Sequence, residues 1–351
     1  MGEITRVSYI PIMCTEYRER KKLSSKVLRL SVLALLAIVF TFALIVTTYA
    51  LPEILDRILR GYFPDIRWDP ERIEVVTNSV RPMGYICLVV VIALILLGFI
   101  AKRKSFAFLG SFAFFLPVFG YFAGYMFFLA GIGVLRVLWL PPLDLSPTLL
   151  KLGDIVYLPL WIATYPLVLL DVQLMRQVST ILGTYFTFAG LLVFCLGALT
   201  WFYGRFEKRE VVDFWIYKYS RHPQYLGFIL WSYGFMLVMA FETLRRGPPV
   251  PSFPWLVSML IVICVALAEE IKMIKQADEQ YLEYRRNTPF MLPLPWYLSK
   301  LLTVPNRLLL KKDFPESGRE VLYNFIIYCT ILILLSILTQ QLNLFEEMLR
   351  M

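Results

Sequence analysis

The chain carries a single histidine, His222, so any chemistry that needs two imidazoles is excluded from the start. Its five cysteines stand far apart, mostly inside apolar runs, with no C-x-x-C spacing and no histidine nearby to complete a metal site. Packing is their expected role. Two segments concentrate the polar groups that remain. The first is Tyr217-Lys218-Tyr219-Ser220-Arg221-His222-Pro223-Gln224-Tyr225-Leu226-Gly227; the second opens on Glu269-Glu270 and runs through Tyr281, Tyr284, Arg285, Arg286, Asn287 and Thr288 to Pro293. Two adjacent carboxylates at a lipid boundary are costly unless a cation or a proton offsets them. On a continuous helix at about 100° per residue, Tyr281 falls about 20° from Glu270, Tyr284 about 40° to the other side and Arg285 about 60° away. Glu269 points elsewhere. The shared face offers a carboxylate, two phenols and a guanidinium, which suits a ligand carrying both a cation and a carboxylate.

The elements that must position these groups follow from composition. Of 351 residues, 58% are hydrophobic and 17% charged, and the mean hydropathy is +0.65. That leaves too little polar surface to cover the chain in water. Several apolar runs reach the roughly 20 residues needed to cross about 30 Å of hydrocarbon, which predicts a polytopic all-α membrane protein. A soluble enzyme, a disordered tail protein and a disulfide scaffold are excluded. The net charge of +9 clusters beside the apolar runs, with no separate basic face interleaved with aromatics. It marks topology, and no nucleic-acid partner is expected.

The first run, Leu28 to Ala50, follows a basic segment (residues 1–27), which predicts a retained anchor with its N-terminal side in the cytoplasm. Leu51 to Arg81 is predicted as an external loop with a short amphipathic helix at Ile54 to Leu59. Pro82 to Ala101 returns inside at Lys102-Arg103-Lys104, and Ser105 to Leu140 is one long, glycine-marked span. Ile155 to Leu170, interrupted by Pro159 and Pro166, is demoted to an interfacial or re-entrant element, because the chain must cross an even number of times before the basic segment at Arg205; splitting Ser105 to Leu140 into two spans is the alternative repair. Ser179 to Tyr203 crosses next. No heptads or longer repeats are evident. Gly227 to Phe241 and Phe253 to Ala268 are predicted to form a helical hairpin about the Arg245-Arg246-Gly247-Pro248-Pro249 turn, which would place the two polar segments side by side. A basic stretch and a last span, Val321 to Leu342, complete the chain. The divisions are thus 28–203, a membrane region of unassigned role; 204–298, the segment with the chemistry; and 299–351, a basic linker with the final helix.

Singly, a Glu-Glu pair can be a solvated helix end, and Arg-His-Pro a helix start with proline in its first turn. As a set they are more specific. Tyr-x-Tyr-Ser-Arg-His-Pro-Gln-Tyr-Leu-Gly, then Glu-Glu about 40 residues on, then Tyr-x-x-Tyr, Thr288 and Pro293, resembles the isoprenylcysteine carboxyl methyltransferase and phospholipid N-methyltransferase superfamily over Phe214 to Pro295. The resemblance implies a C-terminal catalytic helical hairpin with a cytoplasmic helical extension, S-adenosyl-L-methionine as cofactor, and a lipophilic methyl acceptor drawn from the bilayer lipids. It implies that His222, Pro223, Tyr225, Leu226 and Gly227 line the cofactor cavity, that Glu269 and Glu270 receive its cationic end, and that Tyr281, Tyr284, Arg285 and Arg286 close the pocket, with Arg285 and Glu270 catalytic. The superfamily often has glycine where this chain has Trp215, and an aromatic-glycine pair where it has Ala277-Asp278.

Membrane sterol or enone reductases look similar around Arg-x-Pro-x-Tyr-x-Gly and use NADPH. An uncompensated Glu269-Glu270 pair would be a poor partner for a 2′-phosphate and a good one for a sulfonium and an ammonium. A non-catalytic membrane scaffold that keeps the fold is the third reading.

Overall fold

The computed structural model describes residues 10–59, 61–62, 69–101, 103–116, 137–146, 148–168, 170–244, 251–276 and 279–342. Regular structure among them is entirely helical, as the apolar runs predict: α1 (Ile10–Leu59), α2 (Pro70–Ile100), α3 (Lys104–Phe115), α4 (Leu140–Leu145), α5 (Leu158–Val168), α6 (Val172–Phe206), α7 (Pro223–Leu244), α8 (Phe253–Gln276), α9 (Glu279–Asn287), α10 (Trp296–Leu310) and α11 (Gly318–Gln341).

Among the described residues, four helices are long and apolar enough to cross a bilayer: Ser24–Thr48 within α1, α2, α6 and α11. The external loop predicted over Leu51 to Arg81 is mostly absent. α1 continues to Leu59, and α2 starts at Pro70, where the Asp69 side chain accepts the Arg72 amide at 3.0 Å and proline occupies the first turn. This Asp-Pro start signal sits a dozen residues ahead of the apolar run, so hydropathy alone missed it. Of the single span expected over Ser105 to Leu140, α3 accounts for the beginning, and residues 117–136 lie outside the described set. The demoted Ile155 to Leu170 stretch forms a short 3-10 turn and the 11-residue α5, about 16 Å long and too short to cross.

The tightest helix pair is α6 with α7. Glycines recur every seventh residue on α6 (Gly183, Gly190, Gly197, Gly204) and on α7 (Gly227, Gly234). A Cβ on Gly190 would lie 2.2 Å from the Trp231 backbone nitrogen, on Gly227 2.4 Å from that of Phe194, and on Gly234 2.3 Å from that of Thr187. The two backbones are therefore in contact, the arrangement small residues permit where lipid supplies no hydrophobic drive. This is the heptad the sequence reading passed over, because it is written in glycine and not in leucine. α7 does meet α8, with Trp255 Nε1 donating to Ser232 Oγ at 3.0 Å, but its main partner is α6 and not the other limb of the predicted hairpin. The turn at 245–250 lies outside the described residues. α8 is the most enclosed helix, lying against α3 through Ser258 Oγ to the Ser111 carbonyl (2.7 Å) and against α11 beside Val321.

At the end of the bundle away from the polar segments, Asp154 accepts from Ser252 Oγ at 2.5 Å, and Gln340 donates to the Lys151 carbonyl at 2.7 Å. Burial pushes the Asp154 carboxyl up to about 6, with the Ser252 hydrogen bond and Lys151 opposing the rise. The folded state thus holds this proton more tightly than the unfolded chain, whose carboxyl titrates near 3.8. Stability contributed by the protonated form is lost as pH rises from about 4 through 6, by at most about 3 kcal/mol. Thermal unfolding across that range should show a decline that Asp154→Asn flattens; identical slopes for both proteins would refute the assignment.

Candidate functional site

The site lies where the start of α7, the end of α8 and α9 converge. α8 is apolar until Glu269-Glu270, and its central position carries the second glutamate into the interior: Glu270 is 2% exposed. Arg221 Nη1 stands 2.9 Å from both of its oxygens, His222 Nε2 3.2 Å from one and Arg285 Nε 3.5 Å from the other. Phenylalanine rings replace water around the cations. Arg221 lies 5.7 Å from the Phe290 ring and 5.8 Å from that of Phe314, and Arg285 5.8 Å from Phe314. Burial pulls Arg221 below the usual guanidinium range, against the opposing pull of Glu270.

Main-chain contacts fix this arrangement. Pro223 starts α7, the Leu226 amide reaches back to the His222 carbonyl at 2.9 Å, and the His222 amide donates to Ser220 Oγ at 3.3 Å. The Arg221 amide donates to the Pro289 carbonyl at 3.0 Å, and the Tyr284 hydroxyl to the Tyr217 carbonyl at 2.8 Å. The two polar segments are thus stitched together, as the sequence predicts. Glu269 faces the other way, accepting from the Tyr225 hydroxyl at 2.9 Å and lying 3.1 Å from Lys104 Nζ of α3.

Four expectations change. α9 does not continue α8: fifteen residues of straight helix would separate Glu270 from Arg285 by about 22 Å, yet their charged groups are 3.5 Å apart. The acidic pair is not uncompensated, since Glu270 has two guanidinium partners and Glu269 has Lys104. Glu270 is therefore enclosed by its partners. Gly227 faces the α6 backbone, which makes it a packing residue and not part of a cavity wall. His222, Tyr225 and Leu226 are not among the residues that line the cleft described next.

That cleft, of about 420 Å³, opens in front of Arg221. Arg285 and Arg286 of α9 form one wall; Lys312, Asp313, Phe314 and Glu316, from the turn between α10 and α11, form the other. Both charge signs line it. Among the described residues, Arg221 Nε and the nearby Tyr281 hydroxyl, both closed to solvent, have no hydrogen-bond partner. Burial, reinforced by Glu270, pushes that phenol up to about 12, so it remains a donor near neutral pH. Residues 312–316 fall in the linker expected from sequence and Lys104 among the cations that mark topology, while Arg221, though inside the motif, has no site role among those expectations. Arg221 adjoins His222 in the motif itself, which was the available signal.

Trp215 has φ 49°, the left-handed region that favours glycine, and its ring packs 5.0 Å from Tyr203 and 5.4 Å from Phe214. Aromatic packing holds the backbone in this conformation. Ala277-Asp278 lies outside the described residues.

Comparison with known families adds one finding. Residues 155–288 match a family described as a protein of unknown function, DUF1295. The match runs from the turn before α5 to the end of α9 and includes Arg221, His222, Glu269, Glu270 and Arg285, but not the Lys312–Glu316 wall of the cleft. No curated protein and no solved structure matches the chain.

Proposed function

We propose that this protein is an integral membrane methyltransferase that takes S-adenosyl-L-methionine on the cytoplasmic side and a lipophilic acceptor, a prenylcysteine-like carboxylate or a lipid amine, from the bilayer. The observation that carries the reading is the joining of the Arg-His-Pro helix start to the second glutamate of the Glu-Glu helix, in the order and spacing of the resembled superfamily, beside a cleft of mixed charge.

The residues present fit the cofactor, with roles that differ from the sequence expectation. Arg285 and Arg286 suit its carboxylate. Asp313 and Glu316 suit its ammonium; their existing partners, Arg307 and Lys312, are exposed surface pairs that exchange at little cost. The Phe314 face suits a flat or cationic group. The cofactor supplies an electrophilic methyl group. The chain's own part is to orient it for in-line attack and exclude water, with little acid-base work. Glu270, by holding Arg221 and Arg285, fixes the cleft's inner wall.

One observation favours a second reading. Four cations, Arg221, Arg285, Arg286 and Lys312, line the cleft, and with Glu270 neutralised such a rim would also accept the phosphates of NADPH. DUF1295 is related both to steroid 5-alpha reductase and to membrane methyltransferase-like proteins. Calorimetric titration of S-adenosylhomocysteine and of NADPH into the purified protein separates the two. The first should bind and the second should not. The reverse would establish the reductase, and silence from both the scaffold.

A further inference from the structure

α10 leaves the site and comes back to it. The chain departs at Phe290, whose ring lies 5.1 Å from His222, and returns at Phe314, 5.8 Å from Phe290. In between, α10 meets the protein chiefly along α11: Asn306 Nδ2 donates to Asn324 Oδ1 at 2.7 Å, and the Tyr328 hydroxyl to the Leu302 carbonyl. On a helix of about 100° per residue, Leu298, Leu302 and Leu309 fall within about 40° of one another, with Leu301 and Leu308 about 60–80° to one side. Lys300 and Arg307 lie nearly opposite. Leu301, Leu308 and Leu309 are 64%, 74% and 65% exposed, so protein does not cover this face.

We propose that α10 is an amphipathic helix at the site end of the bundle with its apolar face inserted in the leaflet, and that the surface it fits is an anionic lipid one. α11 is one of the four candidate spans, and only 17% of its apolar window is buried by protein. A helix resting on the outside of such a span rests in lipid. Tyr328 stands ten residues after Gly318, about 15 Å along α11, so its bond to Leu302 places α10 within the leaflet's depth and not in the water beyond it. Trp296 and Tyr297 open the helix with the amphipathic rings that favour the headgroup level, and the Lys300 ammonium lies 4.7 Å from the Trp296 ring. Lys300, Lys311 and Arg319 form no ion pair among the described residues, which leaves three cations for anionic headgroups. Insertion also seats Phe290 and Phe314, the two rings flanking Arg221, at the membrane surface.

Spin labels test this on the full-length protein, with its native cysteines replaced and single cysteines introduced as K300C, L301C, R307C or L308C. The protein is held in nanodiscs of phosphatidylcholine with or without phosphatidylserine. Labels at 301 and 308 should be relaxed by dissolved oxygen and shielded from a water-soluble nickel complex, with the opposite pattern at 300 and 307, and phosphatidylserine should deepen the labels at 301 and 308. Water access at 301 and 308 would overturn the proposal. So would immobilised labels there that neither reagent reaches, since a second copy or another protein would then cover the face. Depths that ignore phosphatidylserine would overturn the anionic surface. All four positions are exposed on the helix, and the readout uses no cofactor, so its outcome is separate from that of the methyltransferase reading.

Discussion

Glu270→Gln should destabilise the folded protein by about 3 to 5 kcal/mol, because it strands Arg221 and Arg285 around a neutral group in a water-poor interior. Arg221 is itself 6% exposed, and among the described residues its ion pair is with Glu270 alone. The neighbouring Glu269→Gln should cost no more than about 1 kcal/mol, since its pair with Lys104 is partly exposed. Chemical denaturation in detergent reads both. A double variant, Glu270→Gln with Arg221→Met, should recover part of the loss, because removing both charges leaves no buried ion unpaired. Equal and small effects at 269 and 270 would mean that the cluster is not an interior ion pair. Glu270 would then return to the role the sequence suggests, a direct seat for a ligand's cation.

Gly190→Ala should be the second large effect, and its sign is opposite to what helix propensity alone gives. Within an isolated helix, alanine is favoured over glycine by about 1 kcal/mol. Here the new Cβ would lie 2.2 Å from the Trp231 nitrogen and 2.6 Å from its Cα, atoms that cannot yield without moving α7. The expected net loss is about 3 kcal/mol, at the upper end of overpacking costs. It should also loosen the site, because α7 begins at the Arg221-His222-Pro223 turn. Gly318→Ala is the control, as nothing lies within 4 Å of a Cβ there. If both variants unfold at the same temperature, the α6–α7 backbones are further apart than described.

Hydropathy made the spanning helices legible, since a run near 20 apolar residues has few other uses. Proline and parity together demoted Ile155 to Leu170, where the structure has the short α5. The pairing of the two polar segments was also legible, as a lone histidine and an acidic pair at helix ends have few places to go. The charge balance of the site was not. Arg221 stands in the polar motif but also suits a topological cation, because the same residue type serves both purposes, and only the fold shows that it turns inward to Glu270. Phase arguments on an assumed straight helix brought Arg285 near Glu270 for the wrong reason; α9 reaches it by leaving the α8 axis. The glycine heptad was missed because a small residue lowers apolar signal where backbones approach most closely. The far wall of the cleft, Lys312 to Glu316, follows a whole helix after the motif, so no local spacing ties it to His222.

The most direct measurement of the proposed activity is transfer of a labelled methyl group. Membranes containing the protein are incubated with methyl-labelled S-adenosylmethionine, and their lipids and prenylated peptides are extracted and counted. Label should enter the lipophilic fraction, and Arg285→Ala, which removes a guanidinium from the cleft wall, should reduce it strongly. No incorporation, together with NADPH consumption by the same membranes, would contradict the methyltransferase and assign the Arg221–Glu270 cleft to a reductase.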